Sequence, residues 1–149
     1  MFQLSEKSLN TLQGVHPKLV SVVKRAIQVT KVDFGVIEGL RSLERQKELF
    51  AAKKSQTMDS KHLKGQAVDL MVYFKGQPSW ELNLYDEVAD AMKIAAGELD
   101  AAIRWGAAWH IDDLRRWNGT MEDAMNDYID LRRSQGKRPF IDGPHFEMS

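Results

Sequence analysis

Apolar residues in the first thirty positions fall into two helical patterns, the second opening at Pro17, where a missing N–H has no partner to lose. Leu19, Val20, Val23 and Ile27 recur on one face of that helix, which marks the face as core. Residues 34–38 form a short β-prone run stopped by Gly39. Ser42 can then cap a helix reaching about Lys54, with Leu49 and Phe50 expected on its buried side. Residues 55–61 hold nothing to fill a core and read as a loop. The strongest strand signal is 67–73, ended by the turn residues Lys75, Gly76, Gln77 and Pro78. Val88, Met92, Ala95 and Leu99 predict a helix over 85–99, followed by a strand at 103–105 that Gly106 ends. Thr120 with Asp123 resembles a helix start, and that helix should reach about Gln135 before Gly136. A brief last strand holds His145, Phe146 and Glu147. Helices enclosing a few short strands, without regular strand–helix alternation, predict an α+β fold with a small antiparallel sheet. The charged helical stretch 112–138 stands between the last two strands with no role that the pattern assigns.

Length and composition narrow the chemistry. A chain of 149 residues accommodates one ordinary core, so one domain over 1–149 is expected. Twenty-one basic and twenty-one acidic side chains cancel, which disfavours a protein built on counterion release from nucleic acid. No run approaches the roughly 20 apolar residues of a membrane span. The first residues lack a charged start, an apolar stretch and a small-residue cleavage site, so no secretion signal is expected. Cysteine is absent, which removes disulfides, thiol nucleophiles and thiolate ligands together. A transition-metal site here must use imidazole and carboxylate, and only His16, His62, His110 and His145 offer imidazole.

Two clusters carry that chemistry. In the first, His62 closes the polar loop and Asp69 sits inside the apolar strand that follows, between Val68 and Leu70. A carboxylate placed there costs several kcal/mol unless a cation or good donors meet it, and zinc would meet it. Gly65 permits the tight turn that lets the two side chains converge. In the second cluster, Gly143 and Pro144 fix a bend that puts Asp142 three residues before His145, with Phe146 beside the site. Together they supply two imidazoles, one carboxylate ligand and a spare carboxylate: three protein ligands, an open position for water and a nearby base.

At this point the residues resemble a known family. The pattern S-x-H-x-x-G-x-A-x-D, met by Ser60, His62, Gly65, Ala67 and Asp69, and the terminal D-G-P-H-F-E resemble the M15 zinc peptidases, the VanY and D-alanyl-D-alanine carboxypeptidase group. Within it the chain is most similar to the L-alanyl-D-glutamate endopeptidases that bacteriophages use as endolysins. The resemblance extends to residues 38–42, a following helix bearing Gln46, and 103–106 followed by Trp109. It implies that His62, Asp69 and His145 hold one zinc ion per chain and that Asp142, where many relatives carry glutamate, is the catalytic base. Arg41 matches the family arginine that holds a substrate carbonyl or carboxylate, with Gln46 in the substrate-binding set. It also implies hydrolysis of the stem peptide of bacterial peptidoglycan by a monomer without a separate wall-binding domain. Such an enzyme is made in the host cytoplasm and acts on the wall after release, in host lysis.

Other readings stand beside these. The same zinc core serves D,D-carboxypeptidases and D-alanyl-D-alanine dipeptidases, and a non-catalytic peptidoglycan-binding zinc module is the alternative of another class. Glu147, two residues beyond His145 on a strand, projects to the same face, as a rival base or as the group that orients a ligand imidazole. Asp142 could cap the final turn instead, and Arg41 could be a surface ion-pair partner. His16 and His110 are expected to be structural, although His110 could line the cleft. Trp105, Trp109 and Trp117 are expected in the core and are left out of the catalytic set.

Overall fold

The computed structural model describes residues 1–55 and 58–149; Gln56 and Thr57, part of the expected loop, lie outside the described residues. In chain order the elements are α1 (Glu6–Thr11), α2 (Pro17–Val29), β1 (Asp33–Glu38), α3 (Leu43–Ala51), β2 (Ala67–Phe74), β3 (Gln77–Ser79), α4 (Leu82–Leu99), β4 (Ile103–Trp105), α5 (Met121–Ser134) and β5 (His145–Met148). The strands form one sheet in the order β1-β2-β5-β4, and every pairing is antiparallel. One edge of β2 is shared: β5 pairs with its first residues and β3 with its last. The α+β expectation holds. Among the described residues no helix is long and apolar enough to cross a membrane.

Local chemistry explains most of the boundaries. His16 precedes Pro17 and its Nδ1 accepts from Lys18 N at 3.1 Å, so this imidazole caps α2. Ser42 Oγ accepts from Arg45 N at 3.1 Å and Thr120 Oγ1 from Asp123 N at 3.2 Å, the caps expected for α3 and α5. Three expectations need correction. Gln77 and Pro78 do not merely end β2: Lys75 and Gly76, at φ 53° and 77°, make the two-residue hairpin turn, and the chain returns as β3. Helix α4 begins at Leu82, one turn earlier than its apolar period suggests. Helix α3 stops at Ala51, and the residue it buries is Gln46, while Leu49 is half-buried and Phe50 is exposed. The reason lies beneath that helix, where a buried guanidinium rather than a hydrophobic core awaits it.

The sheet has two different faces. Val68, Leu70 and Val72 of β2 project with Phe34, Val36, Ile103, Trp105 and Phe146 into a core shared with the apolar faces of α2 and α4. Alanines at 26, 89, 95 and 96, all fully buried, leave room for the two helices to approach closely. The alternate residue Asp69 points to the other face. Val36 is paired with Leu70 but Glu38 with Asp69, so Ile37 is the extra residue of a β-bulge. Without the bulge Glu38 would share the core-facing side of Phe34 and Val36. With it, Glu38, Asp69 and His145 stand in one row across β1, β2 and β5.

Candidate metal centre and active cleft

His62, Asp69 and His145 converge on this second face. His62 sits in a 3₁₀ turn, Lys61–Lys64, whose preceding Ser60 Oγ accepts from His62 N at 3.2 Å. Gly65 ends the turn at φ 69°, and a Cβ there would run into the carbonyl oxygen of Gly14, so both conformation and space require glycine. Arg41 N donates to His62 O at 2.9 Å and His16 N to Gly65 O at 2.8 Å, which pins the turn to the rest of the fold. On the other side, His145 N donates to Asp142 O at 3.1 Å, closing the turn before β5, and Leu70 N donates to Pro144 O at 2.9 Å. Trp105, fully buried and stacked on Phe146, reaches the same turn through Nε1 to Gly143 O at 2.7 Å.

Asp69 Oδ1 lies 3.3 Å from both His62 Nε2 and His145 Nδ1. One ligand atom from each residue lies within 4.8 Å of the others. The outer ring nitrogens are engaged elsewhere: His62 Nδ1 faces Gly39 O at 2.9 Å and His145 Nε2 faces Glu147 Oε1 at 2.8 Å. Each of those oxygens accepts only, so each imidazole carries its proton on the outer nitrogen and, when neutral, turns a lone pair inward. Inward lone pairs, an ionised carboxylate and no sulfur ligand form a group that can hold a metal ion, and a nitrogen and oxygen set of this kind suits zinc.

The charges follow from this geometry. Burial pushes the Asp69 carboxyl up, but hydrogen bonds from His145 and His62 outweigh it and hold the group well below the usual carboxylate range. Burial works against the His145 imidazolium, yet Asp69 and Glu147 prevail and its pKa is pushed up to about 9. Glu147 is held below its ordinary value, the desolvation of its buried carboxyl being overcome by His145 and Lys61. Asp142 differs. Burial, and then the negative charge of Asp69, raise its pKa, with His145, His62 and Arg41 only partly compensating. A carboxylate made more basic beside a ligand cluster is suited to taking a proton.

Arg41 is buried next to the cluster, with Nε 2.7 Å from Glu38 Oε1, Nη1 2.7 Å from Gln46 Oε1 and Nη2 3.5 Å from Asp69 Oδ2. Gln46 itself is 0% exposed, and its Nε2 donates to Ser55 Oγ at 2.9 Å. Its amide therefore braces Arg41 from behind. A cleft of about 550 Å³ opens over the cluster, lined by Arg41, His62, Asp69, Asp142 and His145 among others. His110 is not on its wall; its Nε2 meets Asp127 Oδ2 at 2.8 Å, tying the chain after β4 to α5.

Three features of the cleft were not legible in sequence. Glu38 holds Arg41 only because the bulge turns it there. Trp109, expected in the core, is half-buried on the cleft wall with its ring centroid 5.5 Å from that of His145 and 6.2 Å from that of Phe140. Trp80, 65% exposed, stands at the rim. A lone tryptophan among polar residues just before a helix start was the one available signal for it.

An α+β domain with a His-Asp-His group that could hold a metal ion on the floor of an open cleft, and a further carboxylate beside it, fits the class of hydrolases. More narrowly, the chain belongs to the phage L-alanyl-D-glutamate peptidase family, whose profile matches residues 1–149. It is 30% identical over 151 residues to the L-alanyl-D-glutamate peptidase of Escherichia phage T5, an alignment covering 99% of this chain and 98% of that one. Among solved structures it is similar to the Serratia marcescens L-Ala D-Glu endopeptidase ChiX, with 34% identity, a TM-score of 0.74, and coverage of 99% of this chain and 90% of that one. The expectation of a peptidoglycan endopeptidase is thereby met.

Proposed function

We propose that this chain hydrolyses the L-alanyl-D-glutamate bond of peptidoglycan stem peptides, with one zinc ion held by His62 Nε2, Asp69 Oδ1 and His145 Nδ1. The observation that carries this reading is the convergence of those three atoms within 4.8 Å under an open cleft. When bound, zinc supplies a Lewis acid and lowers the pKa of a coordinated water to about 7. The chain supplies the rest. Asp142, with its raised pKa, accepts the proton of the attacking water on a carboxylate oxygen and returns it to the leaving amine. Arg41, already oriented by Glu38 and Gln46, presents its guanidinium to the carbonyl oxygen on which charge develops. Gln46 acts through Arg41, and Glu147 keeps the His145 ring oriented rather than serving as the base.

All of these groups come from one chain, which supports action as a monomer. We place that action in the periplasm or cell wall, after release from the host cytoplasm in which the protein is made.

The test is Asp142→Asn in the zinc-loaded protein. Metal content should remain near one per chain while turnover on purified peptidoglycan falls by about 10²- to 10⁴-fold. Mass spectrometry of wild-type products should find peptides with N-terminal D-glutamate. Release of D-alanine or its dipeptide would reassign the scissile bond, and undiminished turnover by the variant would reject Asp142 as the base.

A further inference from the structure

The substrate proposed above places a definite demand on the cleft. In a stem peptide the chain continues through the side-chain carboxyl of D-glutamate, so its α-carboxylate stays free, one carbon from the nitrogen of the scissile bond. That anion must enter a cleft whose lining already includes Glu38, Asp59, Asp69, Asp142 and Glu147. A neighbouring like charge disfavours binding unless a cation meets it.

Besides His62 and His145, three basic side chains among the described residues line the cleft: Arg41, Lys54 and Lys61. Arg41 is buried between Glu38 at 2.7 Å and Asp69 at 3.5 Å, and the N–H groups it has left are those assigned above to the substrate carbonyl oxygen. Lys61 Nζ lies 3.2 Å from Glu147 Oε2 and also donates to Met148 O. Lys54 is exposed, and its ammonium meets no acceptor among the described residues.

The position of Lys54 is nonetheless fixed. Lys53 takes φ 59° past the end of α3, and Lys54 N donates to Leu49 O at 2.8 Å, closing the helix. The next residue, Ser55, accepts from Gln46 Nε2 at 2.9 Å, while Gln46 Oε1 accepts from Arg41 Nη1 at 2.7 Å. The chain of contacts Asp69–Arg41–Gln46–Ser55 therefore anchors the backbone that carries Lys54 to the metal-holding cluster. A fixed backbone with a four-carbon stem and an ammonium of unmatched charge suits a carboxylate delivered by substrate.

We propose that Lys54 is a specificity-determining residue that receives the free α-carboxylate of the D-glutamate following the scissile bond. This rests on the L-alanyl-D-glutamate reading. Its test compares two synthetic stem peptides, one with D-glutamate and one with D-isoglutamine, whose α-carboxamide is neutral and otherwise isosteric. Wild type, Lys54→Met and Lys54→Arg are assayed as zinc-loaded full-length proteins. Wild type should favour the acid by about 3- to 10-fold in kcat/KM, carried mainly by KM. Lys54→Met should bring the ratio to within about twofold of unity, and Lys54→Arg should keep the preference. Because the readout is a ratio within one protein, partial misfolding of a variant cancels. An unaltered ratio in Lys54→Met, or a wild type that cuts both peptides equally, overturns the assignment while leaving the endopeptidase reading intact. A wild type that cuts neither peptide overturns the endopeptidase reading, and the assignment falls with it.

Discussion

Replacing Glu147 isolates how much of the expected zinc affinity comes from outside the proposed ligands His62, Asp69 and His145. Its Oε1 lies 2.8 Å from His145 Nε2, it is 8% exposed, and its other oxygen is 3.2 Å from Lys61 Nζ. A hydrogen bond to a charged group at this burial contributes about 1.5–3 kcal/mol, and a neutral acceptor in the same place about half of that. Glu147→Gln keeps an acceptor for the Nε2 proton but removes the charge, so zinc affinity should fall by about 5- to 10-fold. Glu147→Ala leaves the ring without an acceptor and should lose about 10- to 100-fold, the range found when an outer-shell partner is removed. The assay is competition for zinc against a chelating dye near neutral pH, with circular dichroism of the metal-free protein to confirm the fold. Lys61→Met removes the ion pair while leaving the acceptor, and should change affinity far less than either. If Glu147→Ala binds zinc within twofold of wild type, Glu147 does not prepare His145, and the engagement of the outer ring nitrogen has no bearing on affinity.

Two further outcomes follow from the same geometry. The metal-free fold holds the His145 proton up to about pH 9 against an ordinary 6.5, so that proton stabilises the fold fully below about 6.5 and the contribution is lost as pH rises through about 9. The apoprotein should therefore weaken by about 3 kcal/mol over that window, while zinc affinity, which requires the proton to leave, should rise about tenfold per pH unit and level off above it; melting and titration across the range check both, and a flat apoprotein profile would refute the assignment. Gly106→Ala should cost about 1–3 kcal/mol, because its Cβ would overlap Asp142 O and lie 3.0 Å from His145 Cβ. The displaced turn should lower kcat by about 10²-fold even at saturating zinc, and wild-type kcat would contradict it.

What the sequence disclosed depended on whether one segment could state it alone. Caps at Ser42 and Thr120, the helical faces of α2 and α4 and the strand at β2 are local patterns, and they were readable. So was the convergence of His62, Asp69 and His145 into a group that could hold a metal ion, because a carboxylate inside an apolar strand is costly by itself and the chain has few other histidines to offer. Glu38 was not readable: its parity along β1 assigns it to the core, and only a pairing shift against β2 reverses that. The burial of Gln46 against Arg41 was unreadable for a related reason. A polar residue on a helix face normally faces water or ligand, and the buried guanidinium that receives it comes from a loop five residues earlier. Leu49 and Phe50 then fail as core residues because the helix turns its polar side inward.

The stretch 112–138, which the apolar pattern left without a role, becomes intelligible once its contacts are followed toward the cleft. Met121, Ala124, Met125 and Tyr128 seat α5 among buried residues, and Asp90 Oδ1 of α4 accepts from Met121 N at 2.8 Å, fixing where α5 starts. From that seat Tyr128 Oη donates to Phe140 O at 3.2 Å, and Asp127 holds His110 at 2.8 Å. The Phe140 ring stacks on Trp109, His110 is its neighbour along the chain, and Trp109 is the ring that lies against His145. The aromatic wall thus rests on α5 from both directions. Rotation of the His145 ring is opposed by Glu147 on one side and by Trp109 on another, so a helix outside the His-Asp-His group still helps hold that group's geometry.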